Sequence, residues 1–145
     1  MVGGSSKDDL KPKRIDYLSE ALALERQGDY DAALTSYRLA LRDHPNDPRI
    51  LQNMAIAFSK TSQMDDAIRC YRRALELDPK LSGAHYGLAF LLLKRGDHAG
   101  AMTHLDAFLS RPPANEEMER FVRHAEQTLT ALRAGDTNIS AEPQT

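Results

Sequence analysis

The chain repeats itself every 34 residues. Gly28-Asp29-Tyr30, Ser62-Gln63-Met64 and Gly96-Asp97-His98 align at that spacing, and the residues around them fall into rows. Ala21, Ala55 and Ala89 share a position upstream, Ala33, Ala67 and Ala101 share one downstream, and Tyr37, Tyr71 and Leu105 hold a third. Pro45, Pro79 and Pro113 close the three units. A period of this length, with two helical runs per unit, implies a solenoid in which each unit buries its apolar face only by stacking on the next.

The runs themselves read as helices. Ile15, Tyr17, Leu18, Ala21, Leu22 and Leu24 recur at three- and four-residue spacing, and Gly28 is placed to stop them, since glycine takes the left-handed conformation that ends a helix. Asp29 or Tyr30 opens a second helix carrying Ala33, Leu34, Tyr37, Ala40 and Leu41, which Pro45 and Pro48 terminate. The pattern predicts two further pairs: 50–61 with 65–77, and 84–95 with 99–110. Pro12 marks the expected start of the first helix. After Pro112-Pro113, Asn115 is a good N-cap, and Glu116 and Glu117 suit the positive end of a helix dipole. Met118, Phe121, Val122, Ala125, Leu129 and Leu132 form one stripe, so a last helix with one wet face closes the stack before Gly135.

This spacing resembles the tetratricopeptide repeat family, with repeats at 14–47, 48–81 and 82–115, a capping helix at 116–134, a flexible tail at 1–13 and a disordered one at 135–145. The repeats cover 102 of the 145 residues. The resemblance implies an all-α, right-handed superhelix of three helix-turn-helix repeats plus the cap, and a protein that binds peptides or other proteins without catalysis. Three positions depart from the pattern: Ser62 replaces the turn glycine, Phe108 stands where Ala40 and Ala74 stand, and Glu20 occupies a row otherwise held by Met54 and Leu88. Phe108 would face the cap rather than another repeat, and Glu20 lies on the first helix, which no repeat precedes.

Composition narrows the function classes. One domain of this size leaves no room for a second globular unit. A net charge of −2 and a pI near 6.2 argue against a basic nucleic-acid binder. The single cysteine, Cys70, forbids an internal disulfide, no run of 18 apolar residues offers a membrane span, and Met1 to Ser6 lacks the regions of a secretory signal. A cytoplasmic protein is expected.

The resemblance places the first helix of each repeat on the concave side. On a helical wheel Leu18, Leu22 and Glu25 face that side, as do Gln52, Ile56 and Ser59 in the second repeat and Tyr86, Phe90 and Leu93 in the third. Leu22, Ile56 and Phe90 share a row and predict a continuous apolar line. Arg49, Asn53, Lys60 and Lys94 stand at the rim, where they would orient a bound segment. The other reading has neighbouring helices or the tails filling the groove. Relatives that grip the carboxylate end of chaperone tails hold it with lysine, asparagine and arginine; their positions fall here on Leu18, Leu22, Asn53, Gly83 and Gly87. Only Asn53 matches, so no tight recognition of such tails is expected, because a carboxylate needs several converging donors.

Other chemistry is thinly supported. Arg38, Arg42, Arg69, Arg72 and Arg73 follow one another on outer helices, but without interleaved aromatics they read as a solvated face, with Arg72 and Glu76 paired. His44, His85, His98, His104 and His124 show no metal-helix spacing and read as ordinary surface residues, so no metal or other cofactor is expected. Cys70 is either a packing residue or a thiol with its pKa lowered by Arg69 and Arg73. No phosphate loop, dinucleotide turn or nucleophile elbow occurs, and no enzyme is expected. The sequence therefore reads as a scaffold that binds a peptide or amphipathic helix of another protein in an apolar groove. Its alternatives are a secretion-type chaperone for an unstructured segment, and a self-assembling homo-oligomer using Ile15, Leu18 and the open side of the first repeat.

Overall fold

The computed structural model describes residues 16–136, so Pro12, Ile15 and both outermost segments lie outside the described residues. Seven α-helices follow one another: α1 Tyr17–Arg26, α2 Tyr30–Asp43, α3 Pro48–Lys60, α4 Met64–Leu77, α5 Ser82–Lys94, α6 His98–Ser110 and α7 Glu119–Arg133. A single 3-10 turn, Glu116–Met118, leads into α7, and the described residues contain no strand. Each helix packs chiefly on its neighbours in sequence, which is the one-dimensional stacking of a solenoid.

Two devices recur at the helix ends, a side-chain N-cap on α1, α2, α3 and α6 and a left-handed residue after α1, α3, α5 and α7. Asp16, Asp29, Asp47 and Asp97 each accept a backbone N–H of the first turn, at 3.1, 3.2, 3.0 and 2.9 Å, and Asn115 caps Met118 at 3.0 Å. At the other end, Asp29 N–H bonds Leu24 C=O, Gln63 N–H bonds Phe58 C=O, Asp97 N–H bonds Leu92 C=O and Asp136 N–H bonds Ala131 C=O, all within 2.8–3.0 Å. These bonds reach back five residues, and the residue they enclose takes positive φ: Gly28 at 81°, Gly96 at 83°, Gly135 at 78° and Ser62 at 61°. Helix α3 starts at Pro48, ahead of the Ile50 expected from periodicity, because proline suits a first turn whose N–H has no partner. Helix α5 likewise starts at Ser82 rather than Ala84.

Small residues let the two helices of a pair approach. Ala21, Ala33, Ala55, Ala67, Ala89 and Ala101 are all fully buried, and so are Tyr37 and Leu105. Phe108 is also fully buried, with its ring 5.2 Å from that of Tyr86, and Glu20 is exposed. Both departures from the repeat pattern thus fall at the two ends of the stack.

Candidate partner-binding groove

Helices α3 and α5 present their inner faces to one another, and a concave pocket of about 370 Å³ opens between them. Its wall is mainly apolar: Ile56 from α3, Tyr71 from α4, Tyr86, Phe90 and Leu91 from α5, Met118 from the 3-10 turn and Phe121 from α7. Gln52, Ser59, Lys60 and Lys94 supply the polar part. Two glycines on α5 make the room. A Cβ at Gly83 would collide with the Gln52 amide, and one at Gly87 would collide with the Tyr71 phenol, so these side chains from earlier helices lie flat on α5. Burial raises the pKa of the Tyr71 phenol far above that of a free tyrosine, which keeps it neutral.

The far wall is an aromatic cluster. Tyr86 lies 4.7 Å from Phe90 and 5.4 Å, edge on, from Phe121, and the Phe90 ring stacks on His124 of α7 at 4.5 Å and 13°. The Tyr86 hydroxyl and His124 Nδ1 share a 2.9 Å hydrogen bond. Helix α7 therefore folds its start across the inner side of the third repeat. The expected open row of Leu22, Ile56 and Phe90 changes accordingly: Phe90 is only 6% exposed, because His124 covers its face, whereas Leu22 and Ile56 are half-buried.

Of the residues expected at the groove, Gln52, Ile56, Ser59, Lys60, Tyr86, Phe90 and Lys94 line this one pocket. Leu18 and Arg49 do not join them; they border a separate depression of about 540 Å³ with Asp16, Tyr17, Asp43, His44, Asp47 and Ile50. Arg49 there pairs with Asp47 at 3.4 Å. Leu22, Asn53 and Leu93 are half-buried and lie outside the pocket lining. Tyr71, Leu91, Met118 and Phe121 were not expected there, and Gly83 and Gly87 were expected only as clamp positions without a side chain. Phe121 was visible as part of the last apolar stripe, but nothing in the 34-residue pattern says which side of the stack that stripe covers. Glu25, expected on the inner surface, turns partly into the stack. Its Oε2 accepts the Tyr37 hydroxyl at 3.3 Å, while its Oε1 is buried with no partner. Burial raises its pKa, against the pull of the Tyr37 hydrogen bond and the nearby Lys60 ammonium.

The remaining candidates resolve into structure. Arg69 pairs with Asp66, Arg73 with Glu76 at 3.0 Å and Arg42 with Asp43 at 3.6 Å, while Arg38 lies over the Phe58 ring at 5.8 Å, so three of the five outer arginines stand beside an acid and Glu76 meets Arg73 rather than Arg72. Cys70 is not an activated thiol: burial and then the Asp66 charge push its pKa up to about 11, outweighing Arg69. His124 is buried, and His85 and His104 bond each other through Nδ1 at 3.0 Å, so these three are not ordinary surface residues. Among the described residues no three metal-ligating side chains cluster, and no helix is long and apolar enough to cross a membrane.

Comparison with known proteins agrees with the architecture. The chain is 29% identical over 110 residues to small glutamine-rich tetratricopeptide repeat-containing protein 2 of Mycosarcoma maydis, which covers 76% of this chain and 31% of that protein. It is 33% identical over 101 residues to the photosystem I assembly protein Ycf3 of Prochlorococcus marinus subsp. pastoris, covering 68% of this chain and 58% of that one. The chain thus spans only part of these curated relatives. Among solved structures, the type III secretion translocator chaperone SycD of Yersinia enterocolitica superposes with a TM-score of 0.76 at 21% identity, covering 93% of this chain and 90% of that one. Sequence models described as tetratricopeptide repeat match residues 16–57, 48–81 and 70–103. Together they span residues 16 to 103, more than half of the chain, which therefore belongs to the tetratricopeptide repeat family.

Proposed function

We propose that this chain is a protein-interaction module that receives an apolar or amphipathic segment of another protein on its concave side, with no catalytic role and in a cytoplasmic setting. The observation that carries the reading is the pocket between α3 and α5, where Ile56, Tyr86, Met118 and Phe121 stand half-exposed on the wall. Apolar surface gathered in a concavity, rather than scattered, is where a partner side chain gains most by leaving water. The relatives support it by their names, among them the Hsp70-Hsp90 organizing protein of Triticum aestivum at 24% identity. A second reading, a chaperone that holds an unstructured segment of a translocator, is favoured by the likeness to SycD, which has also been solved with a peptide of the translocator YopD.

The test is a quantitative pull-down from the source lysate with the wild type and Ile56→Asp, after circular dichroism shows both to be folded. Ile56 is half-buried at the pocket wall, so the charge disturbs the groove more than the stack. Partners lost with the variant place binding in the groove. Identical partner sets would move function to another surface.

A further inference from the structure

We propose that the side chain a partner inserts into the groove ends in an uncharged oxygen acceptor, a carboxamide or a phenol, and that the Tyr71 hydroxyl is the donor that selects it. This rests on the groove being the binding surface and names the chemistry that the groove accepts.

The repeats themselves supply the reference. Tyr37, Tyr71 and Leu105 share one row, and Glu25, Ser59 and Leu93 share another upstream of it. In the first repeat the pair is closed, because the Tyr37 hydroxyl donates to Glu25 Oε2 at 3.3 Å. In the third repeat both members are leucine, and no polar group there needs a partner. The second repeat keeps the donor without the acceptor. Ser59, shorter than a glutamate, turns its own hydroxyl to the Ala55 carbonyl at 2.9 Å. Tyr71 is only 4% exposed and makes no hydrogen bond among the described residues.

This donor stands at the pocket. Tyr71 comes from α4, the outer helix of the second repeat, and its hydroxyl lies against the α5 backbone at Gly87. With Ser59 and Gly87 it lines the cavity of about 370 Å³, where a serine and a glycine leave room that larger residues would take. A hydrocarbon group seated there shuts the hydroxyl away from water with no partner, which costs more than a hydrogen bond contributes. A side chain that brings an oxygen restores the arrangement of the first repeat, with Ile56 and Phe121 along its stem.

The surroundings favour an oxygen without charge. Glu25, after burial and Cys70, raises the pKa of the Tyr71 phenol, so negative potential already reaches the hydroxyl, and the Lys60 charge acts on Glu25. Gln52, whose amide lies over Gly83 on the same wall, offers a neutral donor and acceptor.

The experiment selects randomised dodecapeptides, displayed with no free carboxyl end, on the full wild-type chain, with counter-selection on folded Ile56→Asp. The expected result is enrichment of tyrosine, glutamine or asparagine at one position. In the strongest such peptide, exchange of that residue for the apolar one of like shape should weaken binding to the wild type by about tenfold and to Tyr71→Phe by less than about twofold, since the lost hydrogen bond is the same one. Thermal melting tests the donor without any peptide: Tyr71→Phe should be at least as stable as the wild type, and Tyr37→Phe less stable. Equal losses for the two variants would show that the Tyr71 hydroxyl already has a partner and overturn the proposal. Enrichment of leucine, isoleucine or phenylalanine overturns it too, as does a tenfold loss that persists on Tyr71→Phe, and both leave the groove reading standing. If nothing is enriched on the wild type over Ile56→Asp, the groove reading itself fails and the proposal with it.

Discussion

Ser62 carries the one non-glycine backbone in the left-handed region among the described residues, with φ at 61°, where Gly28 and Gly96 stand in the other repeats. That conformation costs an L-residue about 1–2 kcal/mol, while glycine loses about 0.5–1 kcal/mol more on ordering from the unfolded chain. The balance favours glycine, and nothing lies within 4 Å of where a Cβ would sit at either equivalent turn, so no packing holds a side chain there. Ser62→Gly should therefore raise stability by about 0.5–1 kcal/mol. The urea midpoint checks it, and a lower midpoint at unchanged slope would show that the serine contributes something the backbone argument omits.

A second residue-scale effect is set by the histidine pair. The Pro79 carbonyl can only accept, so the 2.8 Å contact from His85 Nε2 fixes the proton on that nitrogen, and in the neutral pair His104 Nδ1–H donates to His85 Nδ1 at 3.0 Å. Burial first, then His85 and Arg72 of α4, lower the pKa of His104, with Asp97 pulling weakly the other way. A base with a lowered folded pKa binds fewer protons folded than unfolded. Stability is therefore unaffected above the ordinary histidine pKa and declines as pH falls from about 6.5 through the lowered value. Melting temperatures of wild type and His104→Gln should converge or cross on acidification, the wild type losing more between neutral pH and pH about 5. Parallel curves would remove His104 from the account.

At the scale of elements, α7 decides what the third repeat looks like. Where the first two repeats have Ala40 and Ala74, the last has Phe108, fully buried, because Tyr86 and the cap fill the place of a further inner helix. Phe108→Ala restores the residue of the other repeats and still should cost about 3–5 kcal/mol, since the cavity it leaves has no next repeat to close it. Equilibrium unfolding measures the loss, and near-ultraviolet circular dichroism should show the Tyr86 environment relaxing. A cost below about 1 kcal/mol would mean that α7 settles inward to fill the gap. Here too lies the boundary of what the sequence discloses. The helices, their Asp caps, their glycine turns and the stack follow from local spacing and from a period, and these are legible in one chain. Phe121 and His124 reach the concave side through a crossing of α7 over α5 that no spacing records. Gly83 and Gly87 read as empty positions in a groove, but what fills them, Gln52 and Tyr71, comes from two helices of the preceding repeat.

For the whole molecule, stability in such a stack is approximately a sum of each unit's own free energy and its contacts with the next, so opening spreads from the weakest unit. Helix α1 has one buried residue, Ala21, among its ten, whereas α3 and α5 each have six of thirteen. Its apolar side chains Tyr17, Leu18, Leu22 and Leu24 are half-buried, and the deepest polar feature beside it is a carboxylate oxygen of Glu25 with no partner. The pocket lies at the other end, between α3, α5 and α7, on the part of the stack that is covered from both sides. On the proposed reading, a groove that must keep its shape before its ligand arrives sits on the units with the most buried residues, and the first pair is expected to open independently. Native-state hydrogen exchange should accordingly show the amides of α1 exchanging through a local opening well below the global free energy, with α3 to α5 exchanging only through global unfolding. Denaturant should accelerate the second class and leave the first nearly unchanged. Equal protection across all seven helices would make the molecule a single cooperative unit and would detach the stability of the groove from its position in the stack.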